Sequence, residues 1–280
     1  MRKLDVNSVS EYVVSSFDVA DAGRKSELMT GLVVALHDYI RKVKVTHEEW
    51  KLALDFFETV GKITTPNRNE FMLLSDVLGV TSLVDLLAED ADSALTPASP
   101  LGPYYLPEAP FVEQGGLICR EDEPGTPTLL KGRVIDEHGN PIAGALLDIW
   151  HNADSGFYSN EDDSQDDMNN RGRTKADQAG QFAVQTIRPQ SYSIPMDGPV
   201  GDLMKSFDRS PWRSAHFHVI VSAPDFEAVV TELFFSDCDY TDVDAVAGVR
   251  QALIHDPVYE ETERGKTLIV DHEFVLASKQ

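Results

Sequence analysis

The chain has 280 residues, 42% hydrophobic and 25% charged, which is the balance of an ordinary globular protein with ample core. Its formal net charge of -23 excludes nucleic acid or an anionic membrane as a partner of the bulk surface, so neither is expected. Cys119 and Cys238 are the two cysteines. They are too few for a disulfide framework and are expected to be reduced. Residues 1–11 contain no apolar run of signal-peptide type, and no run reaches transmembrane length, so a cytoplasmic protein is expected.

Residues 1–90 carry helical periodicity. Leu28, Leu32, Ala35, Leu36, Tyr39, Ile40 and Val43 recur at steps of three and four. Thr46-His-Glu-Glu49 is a capping-box pattern opening a second stripe of Trp50, Ala53, Leu54, Phe57 and Val60. A short helix is predicted from Asn67, with Glu70 in its first turn and Phe71, Leu74 and Leu78 on one side. It ends at Gly79, and another begins at Ser82. Four short amphipathic helices lack a core of their own and are expected to pack on the rest of the chain or on a second subunit.

The breaker cluster Thr96-Pro-Ala-Ser-Pro-Leu-Gly-Pro103 marks the boundary between a helical region, 1–96, and a second domain, 97–280. After it come short β runs over 129–135, 145–150, 181–187, 216–222, 229–235 and 267–275, separated by turns such as Asp136-Glu-His-Gly-Asn140. The predicted fold class is mainly β: an antiparallel β-sandwich preceded by helices. The stretch from Asn152 to Arg173 is predicted as a loop. It holds Glu161, Asp162, Asp163, Asp166 and Asp167, which lack EF-hand spacing and read as a solvated surface.

The chemistry begins at Arg213-Ser-Ala-His216-Phe-His218. Alternation along a strand puts His216 and His218 on one face and Phe217, Val219 and Val221 on the other. Two imidazoles one pleat repeat apart, roughly 7 Å of backbone, can converge on an ion. Candidate partners are Asp148, His151, Tyr158 and Tyr192. Both tyrosines lie in loops beside Gly or Pro, where a side chain can be aimed. A phenolate is a hard anionic donor that favours ferric iron over zinc or magnesium.

Leu101-Gly-Pro-Tyr-Tyr105, Lys131-Gly-Arg-Val-Ile-Asp, Gly139-Asn-Pro-Ile-Ala-Gly-Ala145, Asp148-Ile-Trp-His-Asn152, Gly156-Phe-Tyr158, Tyr192-Ser-Ile-Pro, Asp197-Gly-Pro-Val-Gly201 and Arg213-Ser-Ala-His216-Phe-His218 occur in that order. Over nearly the whole chain this resembles the intradiol ring-cleaving dioxygenases, most of all the hydroxyquinol 1,2-dioxygenase group of the catechol branch. The resemblance implies non-haem Fe(III) held by Tyr158, Tyr192, His216 and His218, with Tyr192 the phenolate displaced when a diol binds. It implies that O2 is inserted between the hydroxylated carbons of an aromatic diol, and that Arg213 stabilises charge on the substrate. Glu232 stands where catechol-cleaving relatives are expected to carry glutamine. A carboxylate there is expected to be protonated, paired with Arg213 or turned away.

By the same resemblance Leu73, Asp76, Leu101, Gly102, Pro103, Tyr104, Ile194, Pro195, Arg213 and Val246 line the ring pocket. Asp76 is the expected acceptor for a third ring hydroxyl. Hydroxyquinol is the expected substrate, opened to maleylacetate or 3-hydroxy-cis,cis-muconate. The alternative is catechol or a substituted catechol, giving cis,cis-muconate. A homodimer through the N-terminal helices is implied, and a lipid bound there is left open. Two other readings stand beside these: a non-catalytic transthyretin-like binding module, and a zinc hydrolase using the histidine pair with Glu232.

Overall fold

The computed structural model describes residues 4–19, 22–65, 68–88 and 94–279. Its contacts divide the chain into two compact units, Met1–Thr59 and Val60–Gln280. The first holds α1 (Ser8–Phe17), α2 (Gly23–Val43) and most of α3 (His47–Ile63). The capping box forms as the spacing predicts: Thr46 N donates to Glu49 Oε2 at 2.8 Å and Glu49 N to Thr46 Oγ1 at 3.2 Å. Lys44 ends α2 in the left-handed region, φ 57°. Neither α1 nor α2 buries a residue, and the apolar stripe of Leu28, Leu32, Leu36, Tyr39, Ile40 and Val43 is exposed.

The second unit opens with α4 (Glu70–Val77) and α5 (Val80–Ala88). Asn67, the predicted start of α4, lies outside the described residues; Asn69 caps the helix, accepting from Met72 N at 3.0 Å. Gly79, at φ 68°, breaks the chain between the two helices as expected. The second begins two residues before Ser82, whose hydroxyl is turned inward to the carbonyl of Val246 at 3.0 Å. No single described helix is long and apolar enough to cross a membrane.

Among the described residues twelve strands follow, β1 (Gly116–Leu117), β2 (Pro127–Asp136), β3 (Leu146–Trp150), β4 (Arg171–Lys175), β5 (Gln181–Ile187), β6 (Tyr192–Ser193), β7 (Trp212–Arg213), β8 (His216–Ser222), β9 (Val229–Phe235), β10 (Ile254–His255), β11 (Val258–Thr262) and β12 (Gly265–Leu276), with α6 (Pro199–Ser206) before β7. One sheet runs β1-β5-β2-β12-β11, a second β10-β9-β8-β3-β4, and β6 pairs β7 alone. Inward side chains of both sheets, among them Leu130, Val134, Phe182 and Phe274 facing Leu147, Ile149, Phe217 and Val219, form one core.

The sandwich is mixed rather than purely antiparallel: β1–β5, β10–β9 and β12–β2 are parallel pairs. Helix and strand take almost equal shares of the chain, 28% and 27%, so "mainly β" describes the second unit better than the whole. The predicted loop from Asn152 to Arg173 ends inside β4, whose Arg-Gly-Arg-Thr-Lys sequence has no apolar alternation to announce it. The wholly exposed β11 also gave no such signal.

Candidate metal centre and substrate cavity

Strand β8 does what its alternation predicts. Phe217, Val219 and Val221 enter the core, and His216 and His218 share the opposite face. Cross-strand register sets Trp150 of β3 and Glu232 of β9 on either side of His218. Trp150 stacks flat on the imidazole, centroids 4.7 Å apart and planes at 3°. On the β6–β7 ribbon Tyr192 stands opposite Arg213.

Tyr158 lies in the loop after β3, turned by Gly156 at φ 84°. Buried Asn152 braces this loop to the segment before Tyr192, donating to the carbonyls of Gly156 at 3.2 Å and Gln190 at 2.9 Å and accepting from Gln190 N at 2.9 Å. The rings then converge: Tyr158–Tyr192 at 5.4 Å, Tyr192–His216 at 5.7 Å, Tyr158–His218 at 6.2 Å and His216–His218 at 4.5 Å. Tyr158, His216 and His218 are each 1% exposed, and Tyr192 is 6% exposed.

The donor chemistry fits a cation. His216 Nδ1 donates to the carbonyl of Ser214 at 2.6 Å, which leaves its Nε2 an unprotonated donor to a metal. That Nε2 faces His218 Nε2 at 3.0 Å, and His218 Nδ1 has no hydrogen-bond partner. Burial lowers the pKa of both imidazoles, keeping them neutral. Burial also raises both phenols, Tyr192 to about 12 and Tyr158 well above its ordinary value, and Arg213 partly offsets the rise at Tyr192. Unless a strong Lewis acid is bound, both phenols stay protonated. Among the described residues, His216, His218 and Glu232 gather ligand atoms within 4.8 Å of one another.

Glu232 is taken up by other partners. Its carboxylate accepts from Arg213 at 2.8 and 3.1 Å in a two-pronged pair, and from the hydroxyl of Ser99. Burial alone would push its carboxyl up; the Arg213 guanidinium and His216 hold it below the usual range. Of the three fates expected for Glu232, pairing with Arg213 is the observed one. Asp244 clamps the same guanidinium from behind, accepting from Arg213 Nε at 3.1 Å and from Ser214 N at 3.1 Å. Gly248 sits against this trio; a Cβ there would come within 2.9 Å of Arg213 Nη2 and 3.0 Å of Glu232 Oε2.

A cavity of about 540 Å³ opens beside the aromatic cluster, with Leu73, Pro103, Tyr104, Ile194 and Pro195 in its wall. Tyr104 belongs to both, stacking on Tyr158 at 4.5 Å. Leu101 packs on the aromatic cluster, and Gly102, at φ 72°, leaves room for His218, whose Cε1 lies 3.3 Å from where a Cβ would be. Asp76 and Val246 are buried but do not line this cavity. Asp76 accepts from the Thr81 hydroxyl at 2.6 Å, and burial raises its pKa to about 6.

Two candidates are placed elsewhere. Asp148 accepts from the Tyr105 hydroxyl at 3.1 Å, and His151 bonds the Asn152 carbonyl and the Thr186 hydroxyl while packing on Phe217. Sequence reasoning missed Trp150, Ser99, Asp244 and Gly248. Trp150 alone was signalled, by its place in Asp148-Ile-Trp-His-Asn152.

Comparison with known proteins agrees with this geometry. Residues 23–96 match a family profile described as the catechol dioxygenase N terminus, and residues 101–278 match one described as dioxygenase. A hydroxyquinol 1,2-dioxygenase from a Rhizobium species is 37% identical, with 96% of this chain and 94% of that protein aligned. A catechol 1,2-dioxygenase from Candida albicans is 36% identical over 88% of this chain and 82% of its own length. The crystal structure of a hydroxyquinol 1,2-dioxygenase from Pseudomonas putida superposes with a TM-score of 0.86 at 36% identity, covering 98% of this chain and 99% of that one.

Proposed function

Because the chain belongs to the intradiol ring-cleavage dioxygenase family, we propose that it opens hydroxyquinol (benzene-1,2,4-triol) with O2 between the adjacent hydroxylated carbons. Both oxygen atoms enter the product, 3-hydroxy-cis,cis-muconate or its tautomer maleylacetate. Catechol or a substituted catechol, yielding cis,cis-muconate, is the second reading, favoured by the similarity to the catechol enzyme. Membership of this family supports the dioxygenase reading over a non-catalytic transthyretin-like module or a zinc hydrolase.

The observation that carries the proposal is the convergence of two neutral imidazoles and two buried phenols beside a cavity with ample room for an aromatic ring. Tyr158, Tyr192, His216 and His218 would hold non-haem Fe(III). Bound ferric iron supplies the Lewis acidity that keeps phenolates and diol ionised and makes the ring electronically able to react with O2. The chain's own residues do the rest. Trp150 and Gly102 fix the plane of His218, and the Ser214 carbonyl fixes the tautomer of His216. Tyr192, whose ring meets Tyr158 and which stands opposite Arg213 on the β6–β7 ribbon, is the phenol that gives way to the diol. Arg213, immobilised between Glu232 and Asp244, presents a fixed cation to charge developing on the substrate. We assign catalysis to residues 97–280 and subunit pairing, as a cytoplasmic homodimer, to the helical region 1–96; a bound lipid is the other cover its exposed apolar face accepts.

The test is the visible spectrum of the purified, iron-loaded protein with hydroxyquinol or catechol under anaerobic conditions. A phenolate-to-iron band that shifts with each diol is expected, at lower concentration for hydroxyquinol. Tyr192→Phe and His218→Ala should lower turnover more than about 100-fold. A protein left colourless by ferric reconstitution would sink the ligand set.

A further inference from the structure

The acidic loop that the sequence marks as solvated surface sends one of its acidic side chains to the cavity. Glu161 stands at its rim, and its Oε2 accepts from Tyr158 N at 3.1 Å. Tyr104 lines the same cavity and is 6% exposed. Its hydroxyl interacts with the Glu161 carboxylate but is too poorly aligned to count as a full hydrogen bond, and no other group among the described residues meets it. A buried hydroxyl poorly matched to the carboxylate beside it, both in a cavity wall, leaves room for a polar group to improve the match. Arg68, the basic residue in this wall, is already bound by Asp197 at 2.8 and 2.9 Å and by Glu70 at 3.1 Å. Asp76 is bonded to Thr81 and does not line this cavity.

We propose that Tyr104 and Glu161 form the specificity subsite for a hydroxyl substituent on the ring, separate from the two oxygens that bind the metal. A phenolic hydroxyl matches both groups, donating to the Glu161 carboxylate and accepting from the Tyr104 hydroxyl. A methyl or chloro substituent at the same ring position can donate to neither and leaves the Tyr104–Glu161 pair poorly satisfied in a desolvated site. An anionic substituent such as carboxylate meets the like charge of Glu161. The inference rests on the dioxygenase reading and names the substrate feature that the site selects.

The test compares hydroxyquinol with 4-methylcatechol, which fills the same space without the hydrogen bonds, in the iron-loaded wild type and in Tyr104→Phe, Glu161→Gln and the double variant. Steady-state kcat/KM and anaerobic Kd from the spectral titration are both measured. Each single variant should lower the hydroxyquinol preference about tenfold, through KM and Kd rather than kcat. The double variant should lose little more than either, since both groups serve one hydroxyl. Glu161→Gln, at the rim, keeps the test available should Tyr104→Phe fold poorly. Equal proportional losses on both substrates, an unmoved preference, or a preference lost in Asp76→Asn instead would each overturn the subsite. A wild type that cleaves neither diol would overturn the dioxygenase reading itself.

Discussion

The two units handle apolar side chains in opposite ways. In the unit spanning residues 60–280, Leu130, Ile149, Phe217, Leu233 and Phe274 are fully buried between sheets. In the unit spanning residues 1–59, helix α2 runs 21 residues without burying one, and Leu32 and Tyr39 of its stripe remain 59% and 58% exposed. A regular apolar stripe left exposed among the described residues is the surface on which the proposed subunit pairing rests. The contrast teaches that identical periodicity reports amphipathicity and not burial: the sandwich supplies its own second layer, whereas the α2 stripe stays exposed among the described residues.

The harshest way to break the self-sufficient half is to strand its buried charge. Asp244→Ala removes one of two carboxylates from a guanidinium 3% exposed, and a stability loss of about 3–5 kcal/mol is expected, read from chemical denaturation. Turnover should fall with it, because Arg213 loses its fixed aim.

A more gradual effect, spread over the pH scale, comes from acid. Burial lowers the pKa of His151 and His272 to about 3 and also lowers that of His255, so the unfolded chain binds protons below about pH 6.5 that the folded chain refuses. Stability is fully present above that pH and should fall as pH drops, by roughly 1 kcal/mol per unit for each fully titrating histidine. Denaturation midpoints between pH 7 and 4.5 check this; a flat profile would mean that these imidazoles are solvated.

The gentlest perturbation sharpens the other side. Leu32→Glu with Tyr39→Glu should change folding stability by no more than about 0.5 kcal/mol, since neither side chain is buried within the chain. It should nevertheless convert a dimer to a monomer in light scattering. An unchanged mass would remove pairing through this face.

Period-2 and period-3.6 signals made β8, α2 and the capping box at Thr46 legible, because each depends on neighbours in sequence. The tyrosines and histidines were legible as a set through motif order. What was hidden depends on partners far along the chain: Asp244 reaching back to Arg213, Trp150 stacking on His218, Glu161 leaving an acidic run to line a cavity. None of these has a local periodicity, and an acidic cluster looks the same whether or not one member turns inward. The parallel pairing of β12 with β2 was invisible for the same reason.

That last pairing governs the order in which the catalytic unit can be made. Strand β12 lies between β2 and β11, joined to β2 from Leu268↔Thr128 through Leu276↔Asp136. As a ribosome releases the chain, β2 emerges early but waits for the last strand of the sandwich before its second edge is covered. The waiting edge includes Leu130 and Val134, which end fully buried. Contacts so distant in sequence make for slow closure, and a nascent chain arrested before β12 would expose an apolar strand edge that other chains can pair with.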